Sequence, residues 1–532
     1  MEETWFVVIV TLCINSLIQS VFKLFLLPPL LSTKDKLKKR IRRRLPPGPS
    51  ALRGLLRLNK PAVSLQTILQ ELRSKYGPFI TLKTGLFSEP EIYVGSHSLA
   101  FRALVQNSSV FSDRPRSPDA HSVFTSNQHN INTAFYGSFW RLIRRNLSAN
   151  ILHQSRVKCF SGCRKKVLKS LINRLLNHSI NRTSVQAYEE FFYTIFSLVA
   201  LMCYGENLEE KDFRELEAVH QRIMDGFVGG PFTVLMAWPR LGKFLFRNKW
   251  NQLLQVRQHQ VDVYMSYIKD RIREKEEGTK SGFTYVDTLL DLEVQEKEQQ
   301  KRKLTQGEMV SLCSEFLFAG TDMTSTAMQW IMANLVKYPN IQAKVYEEIA
   351  AVMGGPPSSS YDNETAMRFV REKDQQRMPY LKAVVLEGLR RHPPMHILLP
   401  HSVTEEVVLD GYDLPKNTTV HFLVAEMGRD PKVWEDPMAF KPERFLTGSG
   451  EVVFDITGSR EIKMMPFGAG RRICPAFNLG ILHLEYFIAN MIWYFEWRNA
   501  DGGEIDLTDK HEASVVMKNP LKAHLYPRFK FN

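Results

Sequence analysis

The sequence predicts a mainly α-helical protein with a smaller β-rich lobe, set behind an N-terminal helix apolar enough to span a membrane. Three observations carry this. Residues 5–31 hold a single charge, Lys23, in an otherwise apolar run. Two regions, 79–95 and 403–424, break into short β-rich runs punctuated by Gly, Pro and Asp, the pattern of strands joined by turns. From about residue 138 the pattern turns mainly helical, with charged amphipathic stretches such as residues 212–224.

As a helix at ~1.5 Å per residue, residues 5–22 reach roughly 27 Å, and extension to Leu27 covers a bilayer core. A cleaved signal peptide is the rival reading. It would want basic residues before the apolar run, whereas Glu2 and Glu3 come first and the basic run follows. Residues 34–44 carry eight basic residues and one acid, half of the formal net charge of +14. The positive-inside rule places that segment, and all that follows it, on the cytosolic face. A nucleic-acid arm fits less well, because the cluster abuts an apolar span and can sit on anionic lipid; no nucleic-acid partner is expected. Pro46-Pro47-Gly48-Pro49 makes a stiff spacer. The expected plan is a membrane anchor over 1–33, a basic and Pro-rich linker over 34–50, and a globular body over 51–532.

A chain of 532 residues is too long for one minimal core, so a large domain or two lobes are expected. Hydrophobic residues at 44% and charged residues at 24% exclude bulk disorder. The six cysteines (Cys13, Cys159, Cys163, Cys203, Cys313 and Cys474) form no CxxC pair, which argues for a reducing compartment rather than a disulfide scaffold.

In the body, residues 79–84 and 91–95 read as a hairpin. The Glu- and Lys-rich parts of 272–303 read as exposed helix and loop. One helix can be drawn closely. Thr305 and Glu308 form a capping box, with Leu304 and Met309 placed for a hydrophobic staple. It stops near Tyr338, before Pro339, after roughly 48 Å at ~1.5 Å per residue. Glu315, Asp322 and Gln329 interrupt it too often for a second membrane span.

The chemistry centres on residues 466–476, PFGAGRRICPA. Cys474 lies in a Gly- and Arg-rich loop leading into an apolar helix over 477–497. A thiolate stays ionised only in positive surroundings, here a helix N-terminus and adjacent Arg side chains. Pro475 suits a first helical turn. Glycines let the loop backbone approach a flat cofactor. The bland alternative is a buried, inert thiol. Zinc is disfavoured without a second Cys or His at ligand spacing, and c-type haem would need CxxCH.

Phe467-x-x-Gly470-x-Arg472-x-Cys474 resembles the haem-binding loop of the cytochrome P-450 superfamily. Trp140-x-x-x-Arg144, Ala319-Gly320-Thr321-Asp322, Glu387-x-x-Arg390 and Pro442-Glu443-Arg444-Phe445 resemble further motifs of that family, in its order. A lone ExxR carries no weight; the ordered set from about residue 46 to 520 does. The resemblance is to plant microsomal members, among them the subfamily called eighty-nine A. It implies the P-450 fold and heme b (iron protoporphyrin IX), with Cys474 as the proximal metal ligand. Trp140, Arg144, Arg472 and His401 would bind the haem propionates, where charge-assisted bonds are strong. Phe467 would shield the thiolate. Glu387, Arg390 and Arg444 would form a buried structural set. On the long helix Gly320 would open a groove for dioxygen, with Asp322 and Thr324 as the distal catalytic residues.

Two positions depart from the family pattern. Where a Thr usually follows the acid, this chain has Met323, whose thioether cannot donate a hydrogen bond. Thr324 lies about 100° further round the helix and Thr321 precedes; either could act through a water. The second departure is Ala476, where Gly is commoner.

The resemblance also implies a single-pass enzyme of the endoplasmic reticulum membrane with its catalytic domain cytosolic. It would be a monooxygenase fed from NADPH by a membrane-bound flavoprotein reductase. Arg141, Arg144, Arg145, Arg460, Lys463 and Arg471 would supply a basic face for that partner. The pocket would be lined by residues 111–136, the long helix, 395–399 and 514–517, a largely apolar set that suggests a hydrophobic small-molecule substrate. Two rivals stand beside this: a haem-thiolate isomerase or dehydratase needing no dioxygen, which Met323 favours, and a non-catalytic haem-binding membrane protein.

Overall fold

The computed structural model describes residues 44–50, 65–83, 89–228, 230–237, 241–279, 282–295, 300–355 and 368–529. The expected anchor over 1–33, and the basic run apart from Arg44, lie outside them. No helix of the described residues is long and apolar enough to cross a membrane. In chain order the longer helices are α1 Leu65–Tyr76, α2 Ser138–Asn150, α3 Ser161–Ile180, α4 Ala187–Tyr204 and α5 Glu210–Phe227. They continue with α6 Arg247–Glu276, α7 Gln306–Lys337, α8 Pro339–Met353, α9 Pro379–Arg391 and α10 Phe477–Tyr494. The strands are β1 Phe79–Leu82, β2 Glu91–Val94, β3 Val185–Gln186, β4 Glu293–Gln295, β5 Lys301–Lys303 and β6 His401–Ser402. After them come β7 Val407–Leu409, β8 Tyr412–Leu414, β9 Thr419–Phe422, β10 Phe495–Asn499, β11 Asp509–His511, β12 Val515–Met517 and β13 Lys522–Pro527.

Two compact units result. The first takes the chain up to Pro115, then Ile397–Met427 and Thr457–Ile473. Its four-stranded sheet has the order β1-β2-β9-β6. The expected hairpin is present, with Phe79 opposite Val94, and β2 pairs in parallel with β9. Successive side chains of a strand point to opposite faces, and both faces are apolar here. Ile92, Val94, Val420 and Phe422 pack one way, against Leu104, Phe111 and Met465. Ile80, Leu82 and Tyr93 pack the other way, against Ile68, Leu69 and Leu72 of α1. Each such side chain contributes about 1.5–3 kcal/mol by burial. Between β7 and β8, Asp410 and Gly411 both take positive φ (55° and 76°), as a tight two-residue hairpin turn demands.

The second unit takes Arg116–His396, Gly428–Ile456 and Cys474–Asn532. Its centre is α7, which packs against α4, α6, α9 and α10. The capping box forms as expected. Thr305 Oγ1 accepts from Glu308 N (3.2 Å), and Glu308 Oε2 accepts from Thr305 N (2.8 Å). Tyr338 is the C-cap, ahead of the Pro that opens α8. Helix α4 is buried over nearly its whole length, so it reads as a continuous apolar run instead of an amphipathic stripe. Strands β10, β13 and β3 form one sheet and β11–β12 a hairpin. Residues 272–303 differ from expectation. Helix α6 does run on to Glu276, but β4 and β5 form an antiparallel ladder where loop was expected. Acidic and basic residues face each other across it, with Lys301 and Glu293 3.0 Å apart, a cross-strand match that charge content alone does not reveal.

Candidate active site around the cysteine loop and the long helix

In the first unit, residues 467–473 are shaped by backbone packing. Gly470 opens a 3-10 turn with φ +71°, and a Cβ there would lie 1.8 Å from the Leu104 carbonyl oxygen. Only glycine fits. The expected reason was close approach to a cofactor; the reason found is the backbone of the helical turn Arg102–Gln106. Phe467 is half-buried. Arg472 Nε donates to the Ser112 carbonyl (2.8 Å) and His401 Nδ1 to the Phe111 carbonyl (2.7 Å). Arg114 Nη1 donates to the Leu399 and Pro400 carbonyls (2.9 and 2.8 Å). Residues 111–114 are thereby stitched to the start of β6, and three basic side chains collect on a short length of chain.

That collection has an electrostatic consequence. Burial and then the Arg114 guanidinium, with Arg472 adding to them, push the His401 imidazole well below its usual range. A carbonyl only accepts, so Nδ1 carries the proton and Nε2 of the neutral ring is an acceptor. His401 can therefore donate to a carboxylate only after gaining a second proton. Gathered cations favour an anion among them, and the donor set suits the acid groups of haem. Arg114 was not anticipated from the sequence. Its only mark is position, next to Phe111 at the start of the expected pocket loop.

In the second unit, Cys474 is a free, partly buried thiol just before α10. Burial raises its pKa, while the Ala476 backbone N–H and the Arg144 guanidinium pull it down; the net shift is upward. The helix N-terminus acts as expected, through the Ala476 N-cap N–H, but the guanidinium acting on Cys474 comes from α2 instead of the adjacent loop. A protonated thiol with one N–H and one cation beside it suits a ligand that ionises on binding metal. Ala476 takes φ −101°, ordinary for an L-residue, so the methyl that replaces the usual Gly causes no backbone strain.

Arg144 lies over the Trp140 ring, 5.8 Å from its centroid. Burial lowers the Arg144 pKa, and attraction to Cys474 and Glu315 partly restores it. Trp140 has one donor, Nε1, and it donates to the Ile131 carbonyl (3.1 Å). In this geometry Trp140 serves as a platform for Arg144, where a direct bond to a propionate was expected. Glu315 of α7 accepts from Ile131 N and Asn132 N (2.8 and 2.6 Å), pinning that loop to the helix.

The buried ion set forms as the motifs implied. Arg390 Nε and Nη2 donate to Glu387 Oε2 and Oε1 (2.7 and 2.8 Å), with both residues fully buried. Arg444 Nε adds a third bond to Glu387 (3.2 Å), and Arg390 Nη1 also reaches the Gly428 and Pro437 carbonyls (2.6 and 2.8 Å). Trp434 covers the Arg390 guanidinium at 5.3 Å, a partner the motifs did not name.

On α7 the accessible stripe runs through Glu315, Ala319 and Met323, four residues apart. Thr321 and Thr324 are both buried, and Thr321 Oγ1 has no hydrogen-bond partner. The hydroxyls expected to stand in for the missing Thr thus sit off the stripe, because one residue turns the helix by about 100°. Gly320 lies within unbroken helix. A Cβ there would come within 3.0 Å of Val199 on α4, so close helix packing is a sufficient reason for that glycine. Asp322 is buried, and its Oδ2 lies 3.1 Å from His220 Nε2 on α5. His220 was not anticipated; it sits on the amphipathic helix, where an apolar-facing His reads as ordinary core.

Comparison with known proteins places these features. A family model described as Cytochrome P450 matches residues 46–525. Cytochrome P450 89A9 of Arabidopsis thaliana is 47% identical over 496 residues, 92% of this chain and 94% of that protein. Cytochrome P450 81F1 of the same plant is 30% identical over 523 residues, 95% and 98% of the two chains. Among solved structures, a zebra fish cytochrome P450 with abiraterone aligns at TM-score 0.70 and 19% identity, covering 88% of this chain and all of that one.

Proposed function

This chain belongs to the cytochrome P450 family, with a plant relative of the 89A subfamily at 47% identity, and from that premise we propose that it is a membrane-anchored monooxygenase fed by a reductase. It is a haem oxidoreductase by family. The finer reading is that electrons come from NADPH through a flavoprotein reductase, and that one oxygen atom of O2 enters a hydrophobic small molecule.

The observation that carries the reading is Cys474 with the Ala476 N–H and Arg144 beside it. When bound, haem supplies the iron that activates dioxygen, and a thiolate ligand favours O–O cleavage. Cys474 would give up its proton and ligate that iron. Arg144, over Trp140, would offset the sulfur's charge. Arg472, Arg114 and a doubly protonated His401 would hold the propionates, the anionic partner reversing the suppression that the two guanidiniums impose on the ring. Asp322 would be the proton-holding group on the distal side. Exposed Arg141 and Arg145 on α2, and exposed Arg460, Lys463 and Arg471 of the first unit, are candidate contacts for an acidic reductase surface. Arg144 drops out of that set, since it faces Cys474. The apolar run over 5–31 and the basic run over 34–44 support a single-pass anchor in the endoplasmic reticulum membrane with the body cytosolic.

The test is spectroscopic and catalytic. The dithionite-reduced protein with carbon monoxide should give the red-shifted Soret band of thiolate ligation, and NADPH oxidation should require added reductase. An unshifted band in folded protein would overturn the haem-thiolate assignment. Met323 favours a second reading, an isomerase or dehydratase; substrate conversion without NADPH or reductase would select it.

A further inference from the structure

We propose that His220 is the residue that positions Asp322 for proton transfer, an assignment that rests on the monooxygenase reading. Asp322 precedes Met323 on α7, and its side chain is only 10% exposed. A buried carboxylate is costly unless it is hydrogen-bonded. Its Oδ2 meets His220 Nε2 at 3.1 Å, and His220 is 3% exposed. The imidazole is enclosed by Phe192 and Phe196 of α4 and Phe318 of α7, with ring centroids 5.9, 5.8 and 5.8 Å away. This cage leaves the ring little room to turn, so Nε2 stays aimed at the carboxylate.

A further titratable group near Asp322 is Tyr188 of α4. Burial pushes the Tyr188 phenol above its usual range, followed by the Asp322 charge, while the Ser325 and Thr326 hydroxyls beside it oppose this. Thr326 Oγ1 in turn meets Ser514 Oγ at 3.0 Å. Asp322 therefore has an imidazole from α5 on one side and a phenol backed by hydroxyls on another. Beside the Met323 thioether, the Asp322 carboxyl and the Thr324 hydroxyl flank the accessible stripe, both nearly buried, and of the two Asp322 is the one held by a partner on another helix. Its orientation then depends on His220, whose Nε2–H donates to Oδ2 at 3.1 Å.

Without that partner, the Asp322 carboxyl loses the hydrogen bond that fixes its orientation. In haem-loaded chain with reductase, His220→Phe, a ring that suits the aromatic cage, should lower substrate turnover about tenfold at unchanged KM. His220→Gln, which retains an N–H, should restore most of the wild-type turnover, and Asp322→Asn should match the loss in His220→Phe. The reduced carbon monoxide band serves as the fold control throughout. Histidine NMR of the haem-loaded protein gives an independent readout: the His220 ring resonances should shift in Asp322→Asn. Unshifted His220 resonances would show that the pair does not form. Unchanged turnover in His220→Phe with the carbon monoxide band intact would overturn the positioning role alone. Wild-type protein that keeps the pair by NMR yet never oxidises NADPH would sink the monooxygenase reading and the catalytic role of His220 with it.

Discussion

The segment that carries Cys474 and the middle of α7 are built on opposite principles. Cys474 has the Ala476 N–H and the Arg144 guanidinium beside it, and the Glu387 ion set of the same unit is redundant. Glu387 is bonded by Arg390 and Arg444 together with the Lys441 N–H (2.8 Å), and Arg390 is tied to three further carbonyls and a Trp face. Ala476 replaces the usual Gly without backbone strain. The middle of α7 has no such redundancy. A thioether stands on the accessible stripe, two hydroxyls are turned away from it, and one carboxylate is held by a single imidazole 3.1 Å distant. A buried charge shared by several groups tolerates little change, because removing one partner leaves the rest uncompensated. A helix face whose polar groups are singly held can be rearranged at less cost.

Four experiments would break or sharpen that contrast. The largest effect belongs to Cys474→Ser, which should abolish the red-shifted carbon monoxide band and all NADPH-dependent turnover; a retained band would remove the cysteine side of the comparison altogether. Next is Arg390→Ala. It removes the buried cation and two of the four bonds that hold the fully buried Glu387 carboxylate, and should cost about 3–5 kcal/mol in denaturant unfolding at unchanged slope. A loss near 1 kcal/mol would mean the set is not redundant but dispensable.

On the α7 side, Met323→Thr should lower peroxide released per NADPH about tenfold, equal to ~1.4 kcal/mol of barrier. Tight coupling in the wild type that the substitution leaves unchanged would show that Met323 carries no penalty. The smallest effect concerns the start of α7. Burial alone would raise the Glu308 carboxyl, but bonds from His129 and Arg302, with the Thr305 N–H, outweigh it and hold the group well below its usual range. A depressed folded pKa stabilises above the unfolded value and is lost as pH falls through the folded one. Glu308→Gln should therefore cost about 2 kcal/mol at pH 7, and its deficit should shrink below about pH 4.5. A pH-independent deficit would locate the loss in packing rather than charge.

Much of the frame was legible in local pattern. The capping box at Thr305 and Glu308, the stop before Pro339, the hairpin over 79–94 and the Glu387–Arg390 spacing all depend on residues close in sequence, and all appear where expected. The missed side chains share one cause. Arg114, His220 and Trp434 act through partners on other elements, 285, 102 and 44 residues away, and nothing local marks them. The β4–β5 ladder was missed because the register that sets Glu293 opposite Lys303 leaves no mark in composition. Gly320 was read as opening a groove for dioxygen and the loop glycines as letting backbone approach a cofactor; close packing against Val199 and the Leu104 carbonyl is a reason for Gly320 and Gly470 that the sequence did not show.

By itself the sequence determined which sulfur is available, which ordered motifs surround it, and where the long helix begins and ends, since helix caps, turn residues and motif spacing are properties of neighbouring residues. Only the tertiary structure decided which cation faces Cys474, that the Trp140 donor is already engaged, and that the α7 acid is held by His220 from α5. Those are long-range choices. They are made by packing and by the cost of burying a charge without a partner, neither of which can be read from a residue's neighbours in the chain.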